Sequence, residues 1–272
     1  MRVRVLRRLG LGALAIVLAA AGGAWYWYQW SRQYAPTYVP KDAALKREPL
    51  FFYPAANGHA RAFFLFMGND VAFWEPHQAM ANRLSRVGYD VVGMDIKRFL
   101  AALPDHPVAA RDSAYAASIL PLIARARAEL HDDSLPLVIG GHSFGAEVAL
   151  WTAMHRPPPR LAGVMMMSTR GNGHFFVQPS DLMMQEASGP GSFSTVELVR
   201  DIPQSVRIAA IRGQRDDFQR WDSTFAAVGG ARYKRFYVPF TGHSIRKIVL
   251  AGPFIERAMA FLVDTTATRE KE

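Results

Sequence analysis

Along most of the chain, short apolar runs alternate with longer stretches in which apolar residues recur every three or four positions. The runs ARAFFLFM (60–67), YDVVGMD (89–95), LPLVIGG (135–141), LAGVMMMS (161–168), VRIAAIR (206–212) and YKRFYVP (233–239) have the length of strands. Most are apolar throughout, as strands covered on both faces are. Between them, Trp74, Met80, Leu84 and Val87 share one helical face in segment 71–87, and Ala114, Ala117, Ile119, Leu122, Ile123 and Leu130 share one in segment 111–130. Such alternation predicts βαβ units, hence an α/β fold with a mostly parallel central sheet and helices on both faces. No internal repeat or low-complexity tract interrupts it.

The pattern changes at the ends. Arg2, Arg4, Arg7 and Arg8 precede an uncharged stretch at 9–30, close to the ~20 residues that cross a bilayer core. Residues 1–30 therefore read as a signal peptide or a signal anchor. Ala19, Ala20 and Ala21 offer a small-residue cleavage site, whereas Trp25, Tyr26, Trp27, Tyr28 and Trp30 resemble an interfacial aromatic belt and favour a retained helix. The arginine head places the N-terminus in the cytoplasm and all that follows outside it, with membrane attachment through this helix. Residues 31–49 are polar and proline-bearing and read as a tether, 50–264 as the globular domain, and 265–272 as a polar tail.

Composition narrows the function classes. A chain of 272 residues, half of them apolar, can bury one large core. The net charge of +9 is partly concentrated in the first eight residues, and no basic stripe interleaved with aromatics appears, so a nucleic-acid partner is not expected. The absence of cysteine excludes disulfides, thiolate metal sites, a cysteine nucleophile and a lipid-modified N-terminal cysteine. Neither a metal nor a cofactor is expected.

Candidate chemistry begins at PLVIGGHSFGAEVALWTAM (136–154), where a strand runs into a helix through Gly141-His142-Ser143-Phe144-Gly145. The G-x-S-x-G spacing is that of a nucleophile elbow, a turn so sharp that the residues two away from the serine must be nearly without side chains. Chance yields the pentapeptide in such a chain on the order of one time in ten, but its strand-turn-helix setting is far more selective. The alternative is a glycine-rich βα turn with a capping serine. A serine hydroxyl needs a base and an orienting acid, which follow it in this order: serine, acid, histidine. VRIAAIRGQRDDF supplies Asp216 and Asp217 just past a strand; Asp216 is preferred from its place in a Gly-x-x-Asp turn, and Asp217 stays open. YKRFYVPFTGHSIRKIVL supplies His243 after the last strand; a helix-capping histidine is the alternative. His142 and His174 fit the base position less well. The oxyanion donors are expected to be the amides of Phe144 and, from the loop Met67-Gly68-Asn69-Asp70, of Asn69.

The elements GNDVAFW, GYDVVGMDIKRFL and GGHSFGAEV, in this order and spacing, resemble the VirJ-type branch of the α/β-hydrolases over about 60–248. The resemblance implies an α/β-hydrolase fold and a bacterial periplasmic serine hydrolase, with aminoacyl esters on phospholipid head groups as one substrate class. His142 stands where the family commonly has tyrosine, Glu147 where it has aspartate, and the Gly68-Asn69-Asp70 loop carries fewer glycines.

A short lid is expected at about 169–195, where STRGNGHFFVQPSDLMMQEASGPGSFS joins two core strands. Met165, Met166, Met167, Met183 and Met184, with Phe175 and Phe176, make the region soft and apolar, which suits an acyl chain or another lipophilic ester. The three strand methionines also read as core. The residues alone point to ester or related acyl hydrolysis of a small-molecule or lipid substrate. A non-catalytic envelope binding or assembly module on the same scaffold is the rival.

Overall fold

The computed structural model describes residues 12, 14, 16–26, 34–103, 108–178, 181 and 183–264. It divides into two compact units, Met1–Ala35 and Pro36–Glu272. In the first, residues 16–26 are helical, with Leu14, Ile16, Val17, Leu18 and Trp25 exposed. No helix among the described residues is long and apolar enough to cross a membrane. The arginine head and both ends of the expected span lie outside the described residues, as does the expected polar tail at 265–272.

The second unit is built on strands β1 (Leu50–Tyr53), β2 (Phe63–Met67), β3 (Asp90–Met94), β4 (Leu137–His142), β5 (Leu161–Met167), the short pair β6 (Asn172–Gly173) and β7 (Phe193–Ser194), β8 (Arg207–Gly213) and β9 (Tyr233–Val238). Seven of them form one sheet in the order β1-β3-β2-β4-β5-β8-β9, and β6 pairs with β7 apart from it. All neighbours in the large sheet are parallel except β1, which lies antiparallel to β3. The helices are α1 (Glu75–Arg86), α2 (Ile96–Ala101), α3 (Val108–Glu129), α4 (Phe144–His155), α5 (Thr195–Asp201), α6 (Asp222–Gly229), α7 (Ile245–Leu250) and α8 (Phe254–Val263). Pro76 in the first turn of α1, where a missing amide costs nothing, marks why that helix starts later than its apolar period suggests.

Strand alternation divides the core in two. Phe63, Leu65, Met67, Ile139 and Met166 face one side, packed with Ile119 of α3, Val148 of α4 and Leu198 of α5. Phe64, Phe66, Val138, Met165 and Met167 face the other, with Leu84 of α1, Ile248 of α7 and Met259 of α8. Met165, Met166 and Met167 are thus buried in the core on alternating faces rather than lining the lid.

Residues 36–49, expected as part of a tether, lie on the domain. Leu45 is buried in the core, Tyr38 Oη donates to Glu129 at 2.6 Å, and Arg125 Nη2 holds Asp42 at 2.6 and 2.7 Å. The compact unit begins at Pro36, not near 50, because polar contacts and one leucine attach this segment without any apolar period.

At the edge where the parallel strands begin, Asp132 and Asp90 are both buried. Burial, and then the Asp90 carboxylate, push the Asp132 carboxyl up to about 8 against the pull of Arg127. The folded chain therefore retains a proton on Asp132 that the unfolded chain releases near pH ~4. Its contribution to stability is fully present below that pH and is lost as pH rises towards 8. Asp132→Asn is expected to flatten this part of the pH profile and raise the urea midpoint at pH 9 relative to pH 5. An unchanged profile would remove the assignment.

Candidate active site

Ser143 sits between the end of β4 and the start of α4 with φ 53° and ψ −120°. A serine held there costs ~1–3 kcal/mol, a strain that folds tolerate mainly at functional positions. The turn is fixed by the Ser143 amide donating to the Met167 carbonyl at 2.8 Å. A Cβ on Gly141 would lie 2.3 Å from the Gly145 carbonyl carbon, and a Cβ on Gly145 would lie 2.0 Å from the Gly68 oxygen. Both glycines of the motif are therefore steric requirements. The Ser143 side chain makes no capping hydrogen bond, so the capping-serine alternative fails.

The loops after β8 and β9 bring an acid and a histidine together beside it. His243 Nδ1 lies 3.4 Å from Asp216 Oδ1 and 3.3 Å from Oδ2. Asp216 is buried and also accepts from the Phe218 amide at 3.0 Å, whereas Asp217 is exposed; of the two, Asp216 is the one that lies against His243. Arg212 lies behind the carboxylate, with Nη1 3.6 Å from Asp216, Nε 2.6 Å from Asp222, and Nη2 donating to the Thr169 carbonyl at 2.7 Å. Burial alone would raise the Asp216 carboxyl, but the His243 hydrogen bond and charge, Arg212 and the Phe218 amide outweigh it and hold it well below the usual carboxylate range. Ser143 and His243 face one cavity of ≈ 50 Å³, with Asp70, Phe144 and Met184 also on its wall.

Phe144 opens α4, so its amide is among those that a helix leaves without an internal partner. Across the cavity, Gly68 uses its amide on the Met94 carbonyl at 2.8 Å, and the Asn69 side chain accepts from Val71 and Ala72 at 3.1 and 3.3 Å, which turns the loop. The Asn69 amide is the first in the loop free of the sheet. Asp70, one residue on, reaches the cavity wall; Asn69 itself is buried.

The two other histidines weighed for the base position, His142 and His174, have contacts of their own. His142 is buried, and its ring lies 2.9 Å from the carbonyl of His243. A carbonyl only accepts, so Nε2 of His142 carries the proton. Burial, followed by the nearness of His243, lowers His142 to about 3 and keeps it neutral. His174 Nε2 lies 3.1 Å from Asp181 in the lid. His142→Phe keeps a ring in the space but leaves the His243 carbonyl without a donor. It is expected to cost about 0.5–1.5 kcal/mol in denaturant stability, the net worth of an ordinary hydrogen bond, since this contact is half-buried. A loss below about 0.5 kcal/mol, the lower end for a hydrogen bond's net contribution, would mean that the contact carries nothing.

Two features escaped sequence reasoning. Arg212 follows the apolar stretch Ile208–Ile211 of β8 and is buried, and a buried charge beside such a run needs a buried partner. Glu147 lies in the apolar α4 and is fully buried; Arg170 clasps it at 2.6 and 2.9 Å, donates to the Gln185 carbonyl at 2.9 Å, and reaches Asp181. This ion cluster joins the elbow helix to the lid and forms part of the cavity wall.

A mostly parallel sheet flanked by helices, with a strained serine on the turn after a central strand, defines an α/β-hydrolase fold. The chain is similar in structure to a soluble variant of monoglyceride lipase from Saccharomyces cerevisiae, with TM-score 0.55 and 14% identity over 78% of this chain and 90% of that one. It is also similar to MenH from S. aureus, with TM-score 0.52 and 15% identity over 77% and 98%. A third similarity is to a metagenome-derived lipolytic enzyme of the LipS and LipT pair, with TM-score 0.50 and 16% identity over 78% and 96%. No family model and no curated protein matches the chain.

Proposed function

We propose that this chain is a serine hydrolase that cleaves a lipophilic carboxylic ester through an acyl-enzyme. Ser143 Oγ attacks the ester carbonyl while His243 accepts its proton, and Asp216 holds the imidazole in the required tautomer and stabilises its charge. The amides of Phe144 and Asn69 receive the oxyanion. His243 then protonates the departing alcohol, and a water it activates releases the acid. The observation that carries this reading is the strained Ser143 with an uncommitted hydroxyl on the same small cavity as a His243 oriented by a buried carboxylate.

The preference for a lipophilic ester rests on an apolar cavity of ≈ 330 Å³ lined by Leu100, Phe144, Phe175, Phe176 and Val177, with Lys97 beside them. Phe144, which follows Ser143, lines both this cavity and the catalytic one, and on this reading the acyl chain lies on the far side of that ring from the scissile bond. A lipase and a lipolytic enzyme among the similar structures accord with this choice. The VirJ-type resemblance extends it to aminoacyl esters on phospholipid head groups. Labelling with a fluorophosphonate probe, followed by a screen of short-chain, monoacyl and aminoacyl-lipid esters, tests the reading. Failure of any labelling would favour the binding module.

The arginine head and the aromatic belt support a single N-terminal span in a bacterial inner membrane, with the catalytic domain in the periplasm. A periplasm-dependent reporter fused after Glu272 is then expected to be active. Activity of a cytoplasmic reporter there would reverse the orientation.

A further inference from the structure

Phe240 lies two residues past β9 and three before His243, in a loop that delivers the candidate base. It combines two features that cost free energy, set against one cation–π contact from Arg215. Its backbone is left-handed, with φ 57°, unusual for a bulky residue, and its ring is 77% exposed. Strain retained at a largely exposed ring points to a use outside the folded chain.

Its surroundings say what that use is. Val71, 58% exposed, lies next to the Asp70 that reaches the catalytic cavity, and Met183, 63% exposed, adjoins Met184 on the same wall. Arg246 of α7, six residues past Phe240, stacks over Trp74 and binds Glu75 at 2.9 Å, which ties α7 to the start of α1 just past Val71. Apolar tips thus occur on three of the segments that follow strands at the edge where the parallel strands end. Cations flank them. Arg215 lies over the Phe240 ring at 5.9 Å, Lys247 follows on α7, and Lys97 and Arg98 follow β3. These four are exposed, with no ion pair among the described residues, and Asp217 is the exposed carboxylate set against them.

We propose that this rim docks the site onto an anionic lipid bilayer, with Phe240 and Val71 entering the interface and Arg215 and Lys247 meeting head-group phosphates. Exposed apolar tips ringed by cations match a surface that is apolar below and anionic above. Docking rests on the hydrolase reading only for its purpose, the delivery of an ester from the bilayer to Ser143.

The test exploits the lack of cysteine, which allows a single environment-sensitive thiol dye on the full chain. Val71→Cys reports on the rim, and Ser205→Cys, exposed at the opposite edge of the sheet, serves as control. On vesicles of phosphatidylglycerol and phosphatidylethanolamine, the dye at 71 is expected to shift to the blue and be quenched by spin-labelled lipid, while the dye at 205 does neither. Phe240→Asp in the first background is expected to weaken the docked fraction about ten-fold. The proposal is overturned by an unshifted dye at 71 on sedimented protein, an equal response on phosphatidylcholine, a response at 205, or a lack of effect of Phe240→Asp. A shift that grows with protein concentration without vesicles would assign the rim to a second copy instead. Fluorophosphonate labelling of the same samples reports on Ser143 separately, so loss of docking and loss of the hydrolase reading are told apart.

Discussion

Ser143→Ala is expected to abolish fluorophosphonate labelling and to lower ester turnover by about 10⁶, the scale seen when a serine nucleophile is removed from a triad. The fold should be indifferent. The hydroxyl caps nothing, so alanine takes nothing from the start of α4, and the backbone strain is the same for either residue. A stability change within about 0.5 kcal/mol is expected in a denaturant titration. The combination matters, because a merely structural serine would give the opposite pair of results. Purified Ser143→Ala that turns over ester at the parent rate would end the hydrolase reading.

Asp216→Asn should lower turnover by about 10⁴, because an asparagine amide at this position favours the wrong imidazole tautomer. Asp217→Asn, at an exposed position one residue on, should change turnover less than about three-fold, within the range of surface substitutions. The reverse ranking would move the acid to Asp217. The substitution also has a stability signature. Because the Asp216 carboxyl is depressed in the fold, its contribution is present above the ordinary carboxylate value and is lost as pH falls through its lower folded value. Asp216→Asn should remove that acid-side loss. It should also leave Arg212 on Asp222 alone, at some cost in stability near neutral pH.

The parts of this molecule that the sequence announces are those whose physics is local. Five sheet strands stand out as apolar runs and β9 as a partly apolar one, and the elbow is visible because a tight turn tolerates only glycine at Gly141 and Gly145. Asp216 could be ranked above Asp217 from turn spacing, but only burial and the distance to His243 separate them physically. What stayed hidden depends on distant partners. β1 is four residues long and finds its place by pairing antiparallel with β3, and residues 36–49 attach through Tyr38 and Asp42 to residues of α3 more than 80 positions away. The clasp of Arg170 on Glu147 is likewise invisible, since neither residue reveals its partner.

The approach of the Gly68 carbonyl to Gly145 ties the loop after β2 to the first turn of α4. The two amides proposed to meet the oxyanion belong to these two segments, so neither donor can retreat without displacing the other's support. Their ordering is completed during folding, and an arriving substrate has none of that conformational entropy left to remove. If these amides meet the oxyanion, solvent reorganisation around the growing charge would be small for the same reason. The second glycine of the pentapeptide, often regarded as room for a chain to turn, is here also what lets the loop after β2 close on the elbow helix.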